Sequence, residues 1–306
     1  MQPTRILITG ADGQLGWELA RTFAGAGEVV ALSRSAMDLS SADAIRARCR
    51  DVRPTLILNA GAYTAVDKAE AEPELANRVN AVAPGILAEE ANRLGATLIH
   101  YSTDYVFDGN AQVPYLEDHA TAPQNVYGRT KLAGELAISA QAKSFAIFRT
   151  SWLYGNRRHN FMLTMLRLAR EREELRVVAD QMGSPTWVRF VAEITAQCVS
   201  AEHDVGSLRI KSGTYHLTAR GSTTWHGFAA AILEATQDNL RCTKRVLAIT
   251  SGELTQAAKR PNYSVLAVAK LESTLGTAFP DWRAQLAGCV AERTMVNSST
   301  GADFQA

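Results

Sequence analysis

Short apolar runs alternate with helical patterns through the first half of the chain, and this order limits the fold more than any other feature. Arg5–Thr9, Val29–Leu32, Leu56–Asn59, Thr97–Ser102 and Ala146–Arg149 read as strands. Leu15–Ala24, Ala42–Arg50, Ala76–Leu94 and Val126–Ala142 lie between them with helical periodicity, and Pro84 and Gly85 mark a kink in the third helix or its true start. Strict alternation of this kind places the strands in one parallel sheet with helices on both faces. The strands are nearly continuously apolar, as expected when both faces of a sheet are covered.

The first strand runs directly into Gly10-Ala11-Asp12-Gly13-Gln14-Leu15-Gly16, and that segment opens the first helix. Glycine permits the tight turn and lets a pyrophosphate approach the backbone, while the helix start offers free N–H groups and a partial positive charge. The spacing GxxGxxG is the short-chain dehydrogenase variant of the dinucleotide loop, and its place between strand and helix gives it weight. Ser33-Arg34 ends the second strand, where dinucleotide folds often carry an acid for the ribose hydroxyl of NAD. Arg34 suits the 2′-phosphate of NADP, or equally a solvated surface position. Asp38 and Leu39 fall where the adenine would lie, and Asn59-Ala60-Gly61-Ala62 brings backbone close to the cofactor at the end of the third strand. The predicted fold class is therefore α/β, a Rossmann-type doubly wound parallel sheet.

After Thr150 the pattern loosens into helices at Phe161–Glu173, Arg189–Val199 and Trp225–Glu234, separated by turn-rich stretches at Asp180–Pro185 and Lys211–Thr214. We expect residues 1–150 to form the dinucleotide-binding domain and 151–296 mainly a smaller substrate-binding lobe, with some segments returning to the sheet. The small polar residues of 297–306 (NSSTGADFQA) are expected to be a disordered tail. A chain of 306 residues fits one large domain or two closely joined ones. A formal net charge of +1 argues against nucleic acid or an anionic membrane as partner. No apolar run reaches transmembrane length, no signal-peptide layout precedes the first strand, and Cys49, Cys198, Cys242 and Cys289 have no metal-ligand spacing. The expectation is a cytoplasmic protein with reduced cysteines.

The fourth strand ends in Ser102-Thr103-Asp104, and the following helix carries Tyr127-Gly128-Arg129-Thr130-Lys131. Tyrosine and lysine at i and i+4 share a helix face. A free phenol has a pKa of about 10, and a neighbouring ammonium favours the phenolate, so the pair can exchange protons near neutral pH. Lys131 also suits the nicotinamide ribose, and the Thr103 hydroxyl suits a substrate carbonyl. The chance reading, a surface aromatic beside a surface lysine, loses force because glycine loop, Asn-Ala-Gly, Ser-Thr and YxxxK occur in this order. His100, His159, His216 and His226 are dispersed and read as structural. Trp152 suits a platform for a substrate ring or a core aromatic, and Arg260 suits a substrate phosphate or a surface ion pair.

The sequence resembles the dTDP-4-dehydrorhamnose reductase family, an atypical extended branch of the short-chain dehydrogenases/reductases. The resemblance rests on Thr64-Ala65-Val66-Asp67-Lys68-Ala69-Glu70, His100-Tyr101-Ser102-Thr103-Asp104-Tyr105-Val106-Phe107, Asn125-Val126-Tyr127-Gly128 and Phe148-Arg149-Thr150-Ser151-Trp152. It continues through Asp180-Gln181-Met182-Gly183-Ser184-Pro185-Thr186, Tyr215-His216-Leu217 and Arg260-Pro261. It implies Thr103, Tyr127 and Lys131 as catalytic residues. It also implies Thr103, Asp104, Trp152 and Arg260 at the sugar-nucleotide site. Gly10, Gly13, Gln14, Leu15, Asp38, Leu39, Ala62, Tyr63, Thr64, Tyr101, Tyr127 and Lys131 would border the cofactor. Ser33 replaces an acid found in some relatives, so NADPH is expected to be accepted at least as well as NADH. A magnesium-bridged homodimer held by glutamates is described for some relatives. Glu18 matches one such position but Arg189 stands where another glutamate is expected, which leaves both magnesium and the homodimer open.

The implied reaction is reduction of the C4 ketone of dTDP-4-dehydro-L-rhamnose to dTDP-L-rhamnose, which feeds bacterial surface polysaccharides such as the O-antigen of lipopolysaccharide. Two alternatives stand beside it: a related sugar-nucleotide reductase or epimerase with another substrate, and a non-catalytic NADP-binding regulatory subunit.

Overall fold

Six parallel strands form the central sheet: β1 (Arg5–Thr9), β2 (Glu28–Leu32), β3 (Leu56–Asn59), β4 (Thr97–Thr103), β5 (Phe145–Thr150) and β6 (Gly213–His216). The computed structural model describes residues 4–200, 206–236 and 241–300, with side chains as far as residue 295. Strand order is β6-β5-β4-β3-β1-β2. The continuous apolar runs reflect burial on both faces. Leu7, Ile57, Leu98 and Ile147 point to one side, against α2 (Ala42–Val52), α3 (Ala83–Leu94) and α4 (Val126–Gln141). Ile6, Ile8, Leu58, Ile99 and Phe148 point to the other, against α1 (Gln14–Thr22) and α5 (Val188–Gln197). Each fully buried aliphatic side chain contributes about 1.5–3 kcal/mol. The chain runs from β1 to β2 on one side and to β3 on the other, and that reversal opens a crevice at the carboxyl ends of β1 and β3.

Two elements of the second half complete this layer. α5 packs on α1, and β6 pairs with β5 in the register Gly213↔Ala146 to His216↔Arg149, within a stretch whose sequence reads mainly as turn. The rest builds a separate cluster in which Phe228, Met162, Leu175 and Trp282 are buried together. Its strands Glu174–Val178 and Arg245–Ile249 form a parallel pair away from the main sheet.

One expectation is met and one is corrected. Pro84 stands in the first turn of its α-helix, Ala83–Leu94, one of the two places the sequence allows it. A helix at Pro73–Asn77 passes through a π turn at Arg78–Val82 into α3, with Pro84 near the start of α3. Proline has no N–H for the carbonyl four residues back, here that of Asn80, and a wider turn relieves that conflict. The tail expected at 297–306 is helical in its first part, since α6 (Trp282–Thr300) runs through it, anchored by Trp282, Leu286 and Cys289 in the second cluster. Propagation from a packed helix outweighs the weak propensity of Asn, Ser and Thr. Residues 301–306 lie outside the described residues. Among the described residues, no helix is long and apolar enough to cross a membrane.

A buried ion pair locks α4 to the sheet. Arg149 on β5 donates from Nη2 to Glu135 Oε2 at 2.7 Å and from Nε to Oε1 at 3.0 Å, and Ser102 on β4 donates to the same carboxylate. Removing one partner strands a buried charge, which costs about 3–5 kcal/mol. Glu135→Ala is expected to lose stability on that scale in urea denaturation; a loss below about 1 kcal/mol, the range of an exposed pair, would contradict this role.

Candidate active site

The glycine turn needs its glycines. Gly10 sits at φ +66°, and a Cβ there would come within 2.7 Å of Gly61 Cα at the end of β3. A methyl group on Gly16 would collide with the Gly10 carbonyl, and Gly13 donates its N–H to that carbonyl at 2.8 Å. Gly13 caps α1 without a side chain, and the first turn of α1 has no acid. Its leading N–H groups are therefore left without side-chain acceptors, an arrangement suited to an anion. Gln14 Oε1 accepts from Asn160 Nδ2 at 2.9 Å, and the Leu15 side chain is buried in the core, so Leu15 meets the turn through its backbone.

Arg34 is exposed, beyond the end of β2, and forms no ion pair among the described residues. Asp38 accepts from the Ser40 amide at 2.9 Å and hydroxyl at 2.8 Å. These bonds hold its carboxyl below the ordinary carboxylate value, and the charge of Arg34 adds to the effect. Leu39 is buried against Gly61. Ala62, Tyr63 and Thr64 form the loop after β3. Asn80 from the π turn accepts from Tyr63 N at 2.8 Å, while the Tyr63 hydroxyl donates to Glu72 at 2.7 Å. Tyr101 points away from the crevice. Its ring lies in the core with its hydroxyl 3.0 Å from Thr195, and it meets the site only through its carbonyl.

Thr103, Asp104, Tyr127 and Lys131 converge where β4 meets α4. Thr103 donates to Asp104 Oδ1 at 2.9 Å, and Ser151 donates to Asp104 Oδ2 at 2.9 Å. Burial pushes the Asp104 carboxyl up to about 6, against these bonds. Tyr127 packs edge-on to Tyr105 with ring centroids 5.7 Å apart. Asn125 caps α4 by accepting from Gly128 N at 2.8 Å, which fixes the turn that carries Tyr127. The expectation that lysine lowers the tyrosine pKa is not met in this structure. Burial raises the Tyr127 phenol to about 12, with the Thr103 hydroxyl opposing. The Lys131 ammonium is directed elsewhere: it donates to the Tyr101 carbonyl at 2.6 Å and meets His100 Nε2 at 3.0 Å. Burial brings Lys131 down to about 8, with Glu135 opposing. Tyr127 is thus held as a protonated donor, the form that reduction of a carbonyl requires.

Trp152 adopts φ +47°, a left-handed backbone rarely taken by bulky residues, and its ring stacks on Trp225 at 3.5 Å and 4°. Arg260 makes a paired contact with Asp67, at 2.6 Å and 3.0 Å, and this bond holds the Asp67 carboxyl down at about 2. Sequence reasoning missed Trp225, Ser151, Asp67 as the partner of Arg260, and the contact of His100 with Lys131. For His100 a signal existed. A strand alternates its faces, so His100 and Ser102 share one side of β4, and Lys131 and Glu135 share one face of α4.

At the glutamates considered for magnesium, the Arg189 guanidinium sits among Glu18, Glu193 and Glu292. Glu18 is bound by Arg21 at 3.0 Å and Arg189 at 3.4 Å, and Arg189 also pairs with Glu292. A guanidinium thus lies between the two carboxylates, and no group of three metal-competent side chains gathers among the described residues.

A doubly wound sheet with a glycine turn at its switch point and a Tyr-x-x-x-Lys helix beside it defines an oxidoreductase of the short-chain dehydrogenase type. Residues 4–295 match the family described as the RmlD substrate binding domain. A dTDP-4-dehydrorhamnose reductase of Burkholderia thailandensis is 43% identical over 293 residues, covering 94% of this chain and 98% of the relative. Two solved dTDP-4-dehydrorhamnose reductases are similar. That of Clostridium acetobutylicum has 36% identity and a TM-score of 0.88, with 95% of this chain and all of the other covered. That of Bacillus anthracis, in complex with NADP, has 35% identity and a TM-score of 0.86, with 94% and 99% covered. The chain belongs to the dTDP-4-dehydrorhamnose reductase family.

Proposed function

We propose that this protein reduces the C4 ketone of dTDP-4-dehydro-L-rhamnose to dTDP-L-rhamnose with NADPH. The observation that carries the reading is the intact Thr103, Tyr127 and Lys131 set at the sheet's carboxyl edge, in a chain 43% identical to a protein named dTDP-4-dehydrorhamnose reductase. When bound, the reduced nicotinamide supplies the hydride to C4. Thr103 orients the carbonyl oxygen, Tyr127 delivers the proton to it, and Lys131 holds the nicotinamide ribose and restores the tyrosine proton. The glycine turn and the start of α1 take the pyrophosphate of the cofactor. Segment 151–296 supplies most of the sugar-nucleotide lobe, where Trp152 offers a ring face and Arg260 a guanidinium for the substrate diphosphate. Asp67 holds that guanidinium until the phosphate competes for it.

The same machinery on another nucleotide sugar is the main alternative, and turnover against a panel of keto sugars separates the two. An intact proton-transfer set argues against a purely regulatory subunit. For assembly we propose a homodimer. Val82, 45% exposed, lines a groove with Ala81, Gly85, Ile86, Ala133 and Ala137, bordered by Glu89 and Gln141, and Leu136 on the same helix as Ala133 and Ala137 is 62% exposed; exposed apolar surface of this kind marks protein contacts. Sedimentation of the full chain reads this directly, and a monomer removes the proposal.

With the keto sugar generated in situ, Tyr127→Phe is expected to bind NADPH normally yet lose about a hundredfold or more in kcat, the usual contribution of a general acid. Unchanged kcat removes Tyr127 from this role. Arg34→Ala is expected to lower the ratio of kcat/KM for NADPH over NADH by about tenfold or more, the worth of a well-formed charge-assisted bond, with NADH values nearly untouched. A constant ratio makes Arg34 a solvated surface charge.

A further inference from the structure

A buried chain of polar groups runs from the glycine turn to the YxxxK helix. The Gly61 amide donates to Thr9 Oγ1 at 3.0 Å, and Thr9 lies 2.7 Å from Asn59 Oδ1. Asn59 Nδ2 lies 2.9 Å from His100 Nδ1, and His100 Nε2 lies 3.0 Å from Lys131 Nζ. Thr9, Asn59, His100 and Lys131 are all at most 1% exposed. A fully buried imidazole placed between two other polar groups is more than packing requires, because each of its nitrogens must be matched by a partner of the right sense.

That matching ties His100 to the charge on Lys131. Burial, with the lysine charge adding, keeps the imidazole well below its ordinary pKa and therefore neutral, with one N–H and one acceptor nitrogen. An ammonium at Lys131 needs Nε2 as acceptor. Nδ1 then carries the proton and needs the oxygen of the Asn59 amide, whose NH2 group turns to Thr9. With its NH2 toward His100 Nδ1 and its oxygen accepting from Thr9, the Asn59 amide stands in the setting that matches a neutral amine at Lys131, and a half-turn of that amide gives the setting that matches an ammonium. The bond to an ammonium is charge-assisted and stronger than its neutral counterpart, so the chain favours the charged lysine.

We infer that His100 is a positioning residue that holds Lys131 charged beside the Tyr101 carbonyl, with Asn59 and Thr9 fixing the imidazole against the glycine turn. This rests on the reductase reading given above. The other ionisable groups around Lys131 are Glu135 and Tyr127 on α4, Asp104 beyond the end of β4, and Arg149 on β5, which is paired with Glu135. None of them takes a hydrogen bond from Lys131; its bonds go to His100 and the Tyr101 carbonyl.

Three variants and one spectrum test the inference. His100→Gln places an amide oxygen near the position of Nε2 and keeps an acceptor for Lys131. His100→Asn reaches only the position of Nδ1, and His100→Leu keeps neither. The basic limb of the kcat/KM profile for NADPH is expected to move down by about one pH unit in the Asn and Leu variants and to stay near wild type in the Gln variant. Equal losses in all three with an unmoved limb, or an upward shift, overturn the inference. Histidine nitrogen NMR of the wild-type protein without cofactor is independent of turnover, with the His100 signal assigned from its loss in the Gln variant. A neutral ring protonated on Nδ1 between pH 6 and 7 supports the inference, and a ring protonated on Nε2 or titrating in that range overturns it. Absence of wild-type turnover, by contrast, would count against the reductase reading and leave the spectrum to decide the role of His100.

Discussion

Pairing of buried charge along the seam between α4 and β4 is the constraint on which the rest of the site depends. Lys131 and Glu135 enter the protein on one helix face, and neither can stay charged there without partners. β4 and β5 supply them: His100 and the Tyr101 carbonyl for the lysine, Ser102 and Arg149 for the glutamate. The two periodicities mesh, because every second strand residue meets every fourth helix residue. This seam fixes the rotation of α4, and with it the position of Tyr127 over the end of β4. Thr103 and Asp104 then fall beside Tyr127 as the strand ends.

The same layout explains how reactivity is divided. Tyr127 is kept protonated by burial, and Lys131 is brought down to about 8 by the same cause. A donor that keeps its proton and a lysine able to pass one on suit a reduction, in which the carbonyl oxygen gains a proton as hydride arrives at carbon. Asp104, raised to about 6 by burial and held by Thr103 and Ser151, adds a second group that can change charge near Tyr127. Arg260 shows the opposite arrangement, since its cation is matched directly by the Asp67 carboxylate.

Much of the sheet was legible because its strands are buried on both faces, which leaves runs such as Leu56–Asn59 with no polar register to misread. The glycine turn and YxxxK helix were legible because their chemistry is local in sequence. Contacts made by distant segments were not. Nothing within Gly213–His216 signals that it joins β5, and Arg189 settles between Glu18 and Glu292 only once α1, α5 and α6 are assembled. The sequence places Tyr101 at the right point on β4, but its ring takes the opposite face to His100 and Ser102 and binds Thr195. The tryptophan pair was half visible: Trp152 stood out, whereas Trp225 reaches it from a helix over seventy positions further on.

The central claim is that Tyr127, Thr103 and Lys131 direct a hydride to a single sugar carbon. Transfer from NADPH deuterated at the nicotinamide C4, followed by NMR of the sugar product, reads this most directly. The account predicts deuterium at C4 of a dTDP-6-deoxyhexose, formed in step with cofactor oxidation. Label at another carbon, or sugar conversion with no net consumption of NADPH as an epimerase would give, would contradict it.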